Sequence, residues 1–95
     1  MNGRDYLALV HRLDCVVHQG CVGVRYPCAE AHHLESVRGI HSDFAAVPLC
    51  KDCHDLLHQM HRRPFYLLYG LDDVKLMAWT MQEVVRYLTS PAGQR

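Results

Sequence analysis

The strongest structural signal in the chain is one short stretch, PLCKDCHDLLH at residues 48–58. Cys50 and Cys53 form a C-x2-C pair, the spacing at which two thiolates reach one tetrahedral zinc ion. His54 and His58 lie four residues apart, so on a helix both imidazoles project from one face, about one turn apart. Neighbouring helical residues differ by about 100° around the axis. The stretch therefore predicts two metal sites on different sides of one helix.

A zinc ion held by Cys50 and Cys53 needs two further ligands. Cys15 and Cys21 lie upstream on a glycine-rich stretch and can complete a four-thiolate site. Four-sulfur zinc sites are structural, because no position is left open for a substrate, and such a site contributes on the order of 10 kcal/mol to folding. Cys28 is interpreted as a packing residue, although it competes with the two upstream cysteines. The alternative is that the cysteines are buried and hold no metal.

A second pair of histidines, His32 and His33, follows Glu30 and Ala31 at the end of a predicted strand. Neighbouring strand residues point to opposite faces. One histidine can therefore bind a metal while the other stays free as a base, provided that the strand ends there and bends both towards one cleft. A neutral imidazole accepts a proton near neutral pH. The competing interpretation, for both histidine pairs of the chain, is that they are solvated surface side chains.

Composition limits the size and the class of the protein. The 95 residues are enough for one domain, assigned to 1–95, and their five Cys and eight His make a bound metal the first candidate for added stability. The sequence has no recognisable signal peptide or membrane-spanning stretch, which indicates a cytoplasmic protein whose cysteines stay reduced. The net charge is zero with His neutral, so composition alone does not indicate a nucleic-acid partner.

The pattern of hydrophobic residues predicts an α+β chain of short elements. The expected elements are a helix at 5–13, a loop or knuckle at 15–24, a strand or hairpin arm at 22–31, a surface loop at 35–42, a strand at 44–49, a helix at 51–60, a helical turn at 65–70 and a last helix capped by Asp72 or Asp73. Arg62, Arg63 and Pro64 are expected to end the helix at 51–60. The core-facing side of the last helix is expected to carry Val74, Met77, Met81, Val84, Val85 and Leu88.

The order of the motifs resembles that of HNH (His-Me finger) nucleases in their zinc-knuckle variant. The resemblance rests on Ala31-His32-His33-Leu34, then a loop, then Leu49-Cys50-x-x-Cys53-His54-x-x-x-His58. A wider similarity to small phage and prophage HNH proteins related to the Ref (recombination enhancement function) nucleases adds Leu13-Asp14-Cys15, Ser42-Asp43-Phe44 and the stretch 65–71. It implies a small ββα-metal core with a zinc knuckle, a short N-terminal helix and a C-terminal helix.

The resemblance also implies an activity, the cleavage of DNA phosphodiester bonds, and roles for individual residues. Three histidines would hold one divalent ion, Mg²⁺ or Mn²⁺, beside the structural zinc: His32, His54 and His58. His33 would be the general base that activates water, and the metal would stabilise charge on the phosphate and on the leaving 3′ oxygen. The central Asn of the pattern would fall at Ala45. Asp43, two residues earlier, can orient the base instead or serve as an extra ligand.

The partner implied by the resemblance is DNA, and a recombinase or other DNA-processing protein can be required to present it. Arg38, Arg62 and Arg63 are the candidates for phosphate contacts, and each can equally be a solvated surface charge. The missing Asn and the zero net charge leave a second hypothesis open, a zinc-stabilised module that binds nucleic acid or protein without catalysis. A metal-storing or redox thiol protein is the third. The last helix can pack within the chain or against a second copy.

Overall fold

The computed structural model describes residues 1–27, 29–34 and 42–91. Its elements, in chain order, are α1 (Gly3–Val10), α2 (Val16–Val22), β1 (Glu30–His33), β2 (Ala46–Leu49), α3 (Lys51–Met60), α4 (Arg62–Tyr69) and α5 (Asp73–Thr89), with one 3₁₀ turn, Asp43–Ala45, before β2. Within these residues the chain is a small mixed α+β structure of five α-helices and one two-stranded antiparallel sheet, as the sequence predicts. Cys28, Arg38 and most of the loop predicted at 35–42 lie outside the described residues.

The two strands are short and unequally buried. Glu30 pairs with Leu49, and His33 pairs with Ala46. All four residues of β2 are buried, whereas the side chains of β1 remain partly or fully accessible. Only Cys50 separates β2 from α3, which begins at Lys51, so the start of the helix lies against the core. The polar side chains of β1 lie beside it.

The main apolar core joins β2 to helices α2, α3, α4 and α5. Phe65 on α4 is its largest fully buried side chain, and burial of a side chain of this kind stabilises the fold by about 1.5–3 kcal/mol. The other buried members of this cluster are Cys15, Val16, Val17, Leu34, Val47, Leu49, Cys50, Leu57, Leu71 and Leu76. Two cysteines are thus part of the core. In the described part of the chain, no helix has the length and apolar character needed to cross a bilayer.

The stretch at 15–24 forms helix α2, so the predicted loop or knuckle is wrong, and the strand expected at 22–31 begins only at Glu30. Gly20 lies inside α2, where a Cβ atom would overlap the ring of Trp79 on α5. Gly23 ends the helix with a left-handed φ of 67°, the usual use of glycine at this position. The two glycines therefore serve close helix packing and helix termination, not a loop.

Helix α3 has the predicted bounds, but the segment after it differs from the prediction. Arg62, Arg63 and Pro64 form the first turn of α4, and α4 is longer than the predicted helical turn at 65–70. Proline is compatible with this place, because a residue in the first turn has no intrahelical partner for its N–H group. His61 alone separates α3 from α4.

Helix α5 starts as predicted, with Asp72 Oδ1 accepting a hydrogen bond from the Lys75 backbone N–H over 2.6 Å. The predicted core-facing side is wrong for most of its residues, since Leu76, Thr80 and Glu83 are the buried residues; of the predicted face only Met77 and Val84 pack, partly buried, against the core. The predicted face is largely accessible in this chain: Val74 is 79% exposed, Met81 56%, Val85 54% and Leu88 44%. The pattern of hydrophobic residues does not predict the burial of Glu83, because it ignores that a carboxylate can be buried when it is paired.

Replacement of Glu83 tests the assignment of Glu83 to the buried side of α5. Its carboxylate accepts from Arg86 over 2.7 Å and from Arg25 over 3.2 Å, and its side chain is only 7% exposed. Because charge-assisted hydrogen bonds contribute about 1.5–3 kcal/mol and both arginines are half exposed, Glu83→Gln should lower the free energy of unfolding in urea by about 1–3 kcal/mol. Asp55→Asn, the same change in the exposed pair with Lys51, should leave it nearly unchanged. Equal effects of the two variants would contradict the assignment.

Candidate metal centres

One cluster of potential ligands joins the start of α2 to the start of α3. Its donor atoms, the sulfurs of Cys15, Cys50 and Cys53 and a ring nitrogen of His18, all lie within 4.8 Å of one another. His18 Nδ1 is 3.4 Å from Cys15 Sγ and 3.5 Å from the sulfurs of Cys50 and Cys53. Donors on one tetrahedral zinc ion are about 3.5–3.8 Å apart, given the usual bond lengths. The cluster can therefore hold a metal such as zinc with three sulfurs and one nitrogen.

Both halves of this cluster use the same local arrangement. Cys15 directly precedes α2 and His18 follows three residues later; Cys50 directly precedes α3 and Cys53 follows three residues later. Residues at this spacing lie on one side of the first helical turn. The Cys53 backbone N–H donates to Cys50 Sγ over 3.5 Å, which satisfies one of the free N–H groups at the helix start. Two helix starts thus converge on one group of donors.

The fourth potential ligand is His18, and the four-thiolate site predicted with Cys21 is corrected accordingly. Cys21 lies six residues after Cys15, about 9 Å further along the helix axis. Its exposed thiol instead lies 3.8 Å from the backbone carbonyl of Tyr69. The signal that identifies His18 in the sequence is the C-x2-H spacing at 15–18, which repeats the C-x2-C spacing at 50–53. Cys28, which competes with Cys15 and Cys21 as a predicted ligand, lies outside the described residues.

The sulfurs of the cluster share protons unequally. The pKa of Cys15 falls to about 4, chiefly because the Cys53 thiol donates a hydrogen bond to its sulfur. For the same reason the pKa of Cys53 is raised far above its usual range, with burial adding to the effect. Burial also raises the pKa of Cys50. The Cys15 thiol thus ionises readily, and a bound cation would favour the thiolate form of the other two cysteines.

A second cluster lies where β1 meets α3. Ring nitrogens of His32, His54 and His58 lie within 4.8 Å of one another, and His32 Nδ1 is 3.2 Å from His54 Nε2. The pKa of His32 is lowered to about 4, chiefly by burial and in smaller part by the neighbouring imidazoles. His32 is therefore neutral at pH 7 and its lone pair is available to a metal. This group, called the histidine triad below, supplies three donors and leaves other coordination positions open.

Glu30 orients one member of the histidine triad. Its Oε1 accepts a hydrogen bond from His54 Nδ1 over 2.9 Å, which leaves His54 Nε2 directed towards His32. A carboxylate on the outer nitrogen of a ligating histidine commonly fixes its tautomer and ring orientation. Glu30 was not predicted as a site residue, although its distance of two residues from His32 puts both on one face of β1.

His33 and Asp43 are brought together beside the triad. His33 Nε2 lies 3.0 Å from Asp43 Oδ1, and both side chains are exposed. With the proton on Nε2, His33 donates to the carboxylate and keeps Nδ1 as a proton acceptor. Asp43 is held in the 3₁₀ turn, where Ser42 Oγ accepts from the Phe44 backbone N–H over 3.1 Å. The pair therefore has the geometry of a base and its orienting carboxylate.

The histidine triad and His33 line one cleft of about 520 Å³. Its remaining lining residues are Ala31, Leu57, His61 and Arg62. No acidic side chain is among the described residues of this lining. Arg62 lines this cleft and also lies 3.9 Å from Asp73, whereas Arg63 lines the neighbouring cavity; the phosphate contacts predicted for both stay predictions. Arg38 lies outside the described residues, so its predicted contact with phosphate stays a prediction.

Comparison of the chain with protein-family models, curated proteins and solved structures gives no match. The similarity to HNH nucleases thus stays a prediction that depends on the sequence motif and on the geometry of the two clusters. The described residues form a small α+β structure with a cysteine and histidine cluster that can hold a metal such as zinc.

Cobalt substitution separates the roles of His18 and Cys21. We expect wild type and Cys21→Ser to show the same thiolate-to-cobalt absorption, because Cys21 is not among the clustered donors. His18→Ala should shift these bands and bind the ion at least about tenfold more weakly in competition with a chelator. If Cys21→Ser lost these bands and His18→Ala kept them unchanged, the result would support the four-thiolate site that includes Cys21.

Proposed function

We propose that this protein is a divalent-metal-dependent DNA endonuclease or nickase of the HNH (His-Me finger) type. The observation that carries the proposal is the meeting of two histidine pairs that are distant in sequence. His32 lies 3.2 Å from His54, and His33, the next residue, lies 3.0 Å from Asp43 beside the same cleft. The order β1, β2, α3, two antiparallel strands followed directly by a helix, supports the ββα-metal assignment that the resemblance implies.

The histidine triad is the proposed site of the catalytic ion. Its three nitrogen donors suit a divalent transition metal; Mg²⁺ and Mn²⁺ prefer oxygen ligands, which water and a phosphate would add at the open positions. When bound, the ion supplies a Lewis acid that stabilises charge on the phosphate and on the leaving 3′ oxygen. Glu30 holds His54 in the orientation needed for binding, and the low pKa of His32 keeps its ring in the neutral form that can bind.

His33 is the proposed general base. Its Nδ1 accepts a proton from a water molecule whose oxygen forms the new bond to phosphorus, while the bond from phosphorus to the 3′ oxygen breaks. The leaving 3′ oxygen takes a proton from a second water molecule, so the products are a 5′-phosphate and a 3′-hydroxyl. Asp43 fixes the tautomer and orientation of His33 through the 3.0 Å hydrogen bond. It thereby takes over the role of the Asn that is missing at Ala45, which lies in the same 3₁₀ turn.

DNA is the proposed substrate because an anion fits the cleft and the HNH pattern points to phosphodiesters. Arg62 lines the cleft. Arg63, the next residue, is exposed and lines the neighbouring cavity, where it can contact a neighbouring phosphate. The similarity to Ref-related proteins extends the proposal to phage or prophage recombination and DNA processing. In that setting a recombinase or another DNA-processing protein would present the substrate.

A zinc-stabilised module that binds nucleic acid or protein without catalysis is the second candidate. It is favoured by one observation: the cluster of Cys15, His18, Cys50 and Cys53 is complete without the histidine triad. The central Asn of the HNH pattern is also missing at Ala45. The two candidates differ in a single measurable property, the cleavage of DNA.

Plasmid nicking tests the proposal. With Mn²⁺ or Mg²⁺ the purified protein should convert supercoiled plasmid to the nicked form, and His33→Ala should slow this by at least about 10²-fold because the base is lost. Asp43→Asn should slow it less, since the general base remains. Both variants should keep the melting temperature of wild type, because both side chains are exposed.

His11→Ala is the matched control, an exposed histidine that does not line the cleft, and it should cleave like wild type. Equal cleavage by wild type and His33→Ala would rule out His33 as the base. Binding of DNA without cleavage under several divalent metals would favour the non-catalytic module.

A further inference from the structure

His61 connects α3 to α4 in a backbone conformation that residues with a Cβ atom rarely adopt. Its φ is 68° and its ψ is 162°, in a region that is essentially restricted to glycine. Among the described residues it is the only non-glycine residue with a positive φ. Glycine would make the same connection between the two helices without steric cost.

Packing does not account for a histidine at this position. His61 is exposed, and within the described residues its ring has no hydrogen-bond or ion-pair partner. His61 is one of the residues that line the same cleft as the histidine triad and Arg62. Strained residues cluster at ligand sites, where the side chain is needed in a set place. The strain and the position in the cleft are independent observations that point to a ligand of His61.

The ligand of His61 is not the ion of the triad. The group of mutually close donors there consists of His32, His54 and His58, without His61. In a cleft whose described lining holds Arg62 and no acidic side chain, an imidazole that is not a metal ligand can donate an N–H hydrogen bond to an anion. A phosphodiester beside the triad presents non-bridging oxygens for this purpose.

We infer that His61 is a phosphate-binding residue of the cleft, and that its strained backbone holds the ring where a non-bridging phosphate oxygen lies. This inference rests on the proposed nuclease function. It adds to the HNH pattern a residue to which that pattern assigns no role. His61 contacts the substrate and leaves both the metal and the attacking water to other residues.

His61→Gly tests the inference, because it should raise the melting temperature and lower the nicking activity. Removal of the Cβ atom relieves the strain, so the melting temperature should rise by about 4 °C or more. Removal of the imidazole takes away a phosphate donor, so plasmid nicking should slow by at least about tenfold, and binding of a short DNA duplex in Ca²⁺ should weaken. His61→Asn keeps an N–H donor in a residue that tolerates positive φ, and should retain more activity and affinity than His61→Gly.

His11→Gly is the control for the glycine substitution. His11 has ordinary helical angles, φ −63° and ψ −17°, so this variant should lose stability and keep wild-type cleavage. A His61→Gly protein that nicks and binds DNA like wild type would overturn the inference and leave the nuclease proposal intact. A His61→Gly protein that melts below wild type would also overturn it, because the strain would be absent.

The same experiment distinguishes failure of the proposed function. If wild type binds duplex DNA but does not cut it with any metal, the nuclease proposal fails, and weaker binding by His61→Gly would still support the phosphate contact. If wild type neither cuts nor binds DNA, both proposals are wrong.

Discussion

The junction between β2 and α3 is the constraint on which the rest of the structure depends. Because β2 is fully buried and α3 begins at Lys51, Cys50 enters the core and Cys53 follows on the same side of the first helical turn. Helix geometry then places His54 about 100° further around the axis, where it meets His32 of β1. One short helix start thereby serves two groups of donors on different sides.

The two clusters differ in burial and in the number of donors, and these differences suit different tasks. Cys15 and Cys50 are buried, and together with His18 and Cys53 they supply the four donors of a closed tetrahedral site. The histidine triad has three donors and opens on a cleft of about 520 Å³. A closed site can stabilise a small chain, whereas an open one can accept a substrate oxygen.

Spacing and capping signals predicted much of this structure, and tertiary contacts explain the errors. The helix at 51–60 and the cap at Asp72 follow from local patterns that the structure reproduces, and the proximity of His32 to His54 and His58, implied by the resemblance, is also found. The predicted loop at 15–24 was wrong because Gly20 is needed for contact with Trp79 on a distant helix. The predicted face of α5 was wrong because pairing with arginines lets Glu83 be buried. His61 was missed because hydrophobic periodicity contains no information on φ.

The most direct test of two separate metal sites on α3 is crystal diffraction at the zinc and manganese absorption edges, from protein loaded with both ions. The presence of two separate sites predicts a zinc peak among Cys15, His18, Cys50 and Cys53 and a distinct manganese peak at His32, His54 and His58. One shared site with ligands from both groups, or no peak at the histidines, would contradict it.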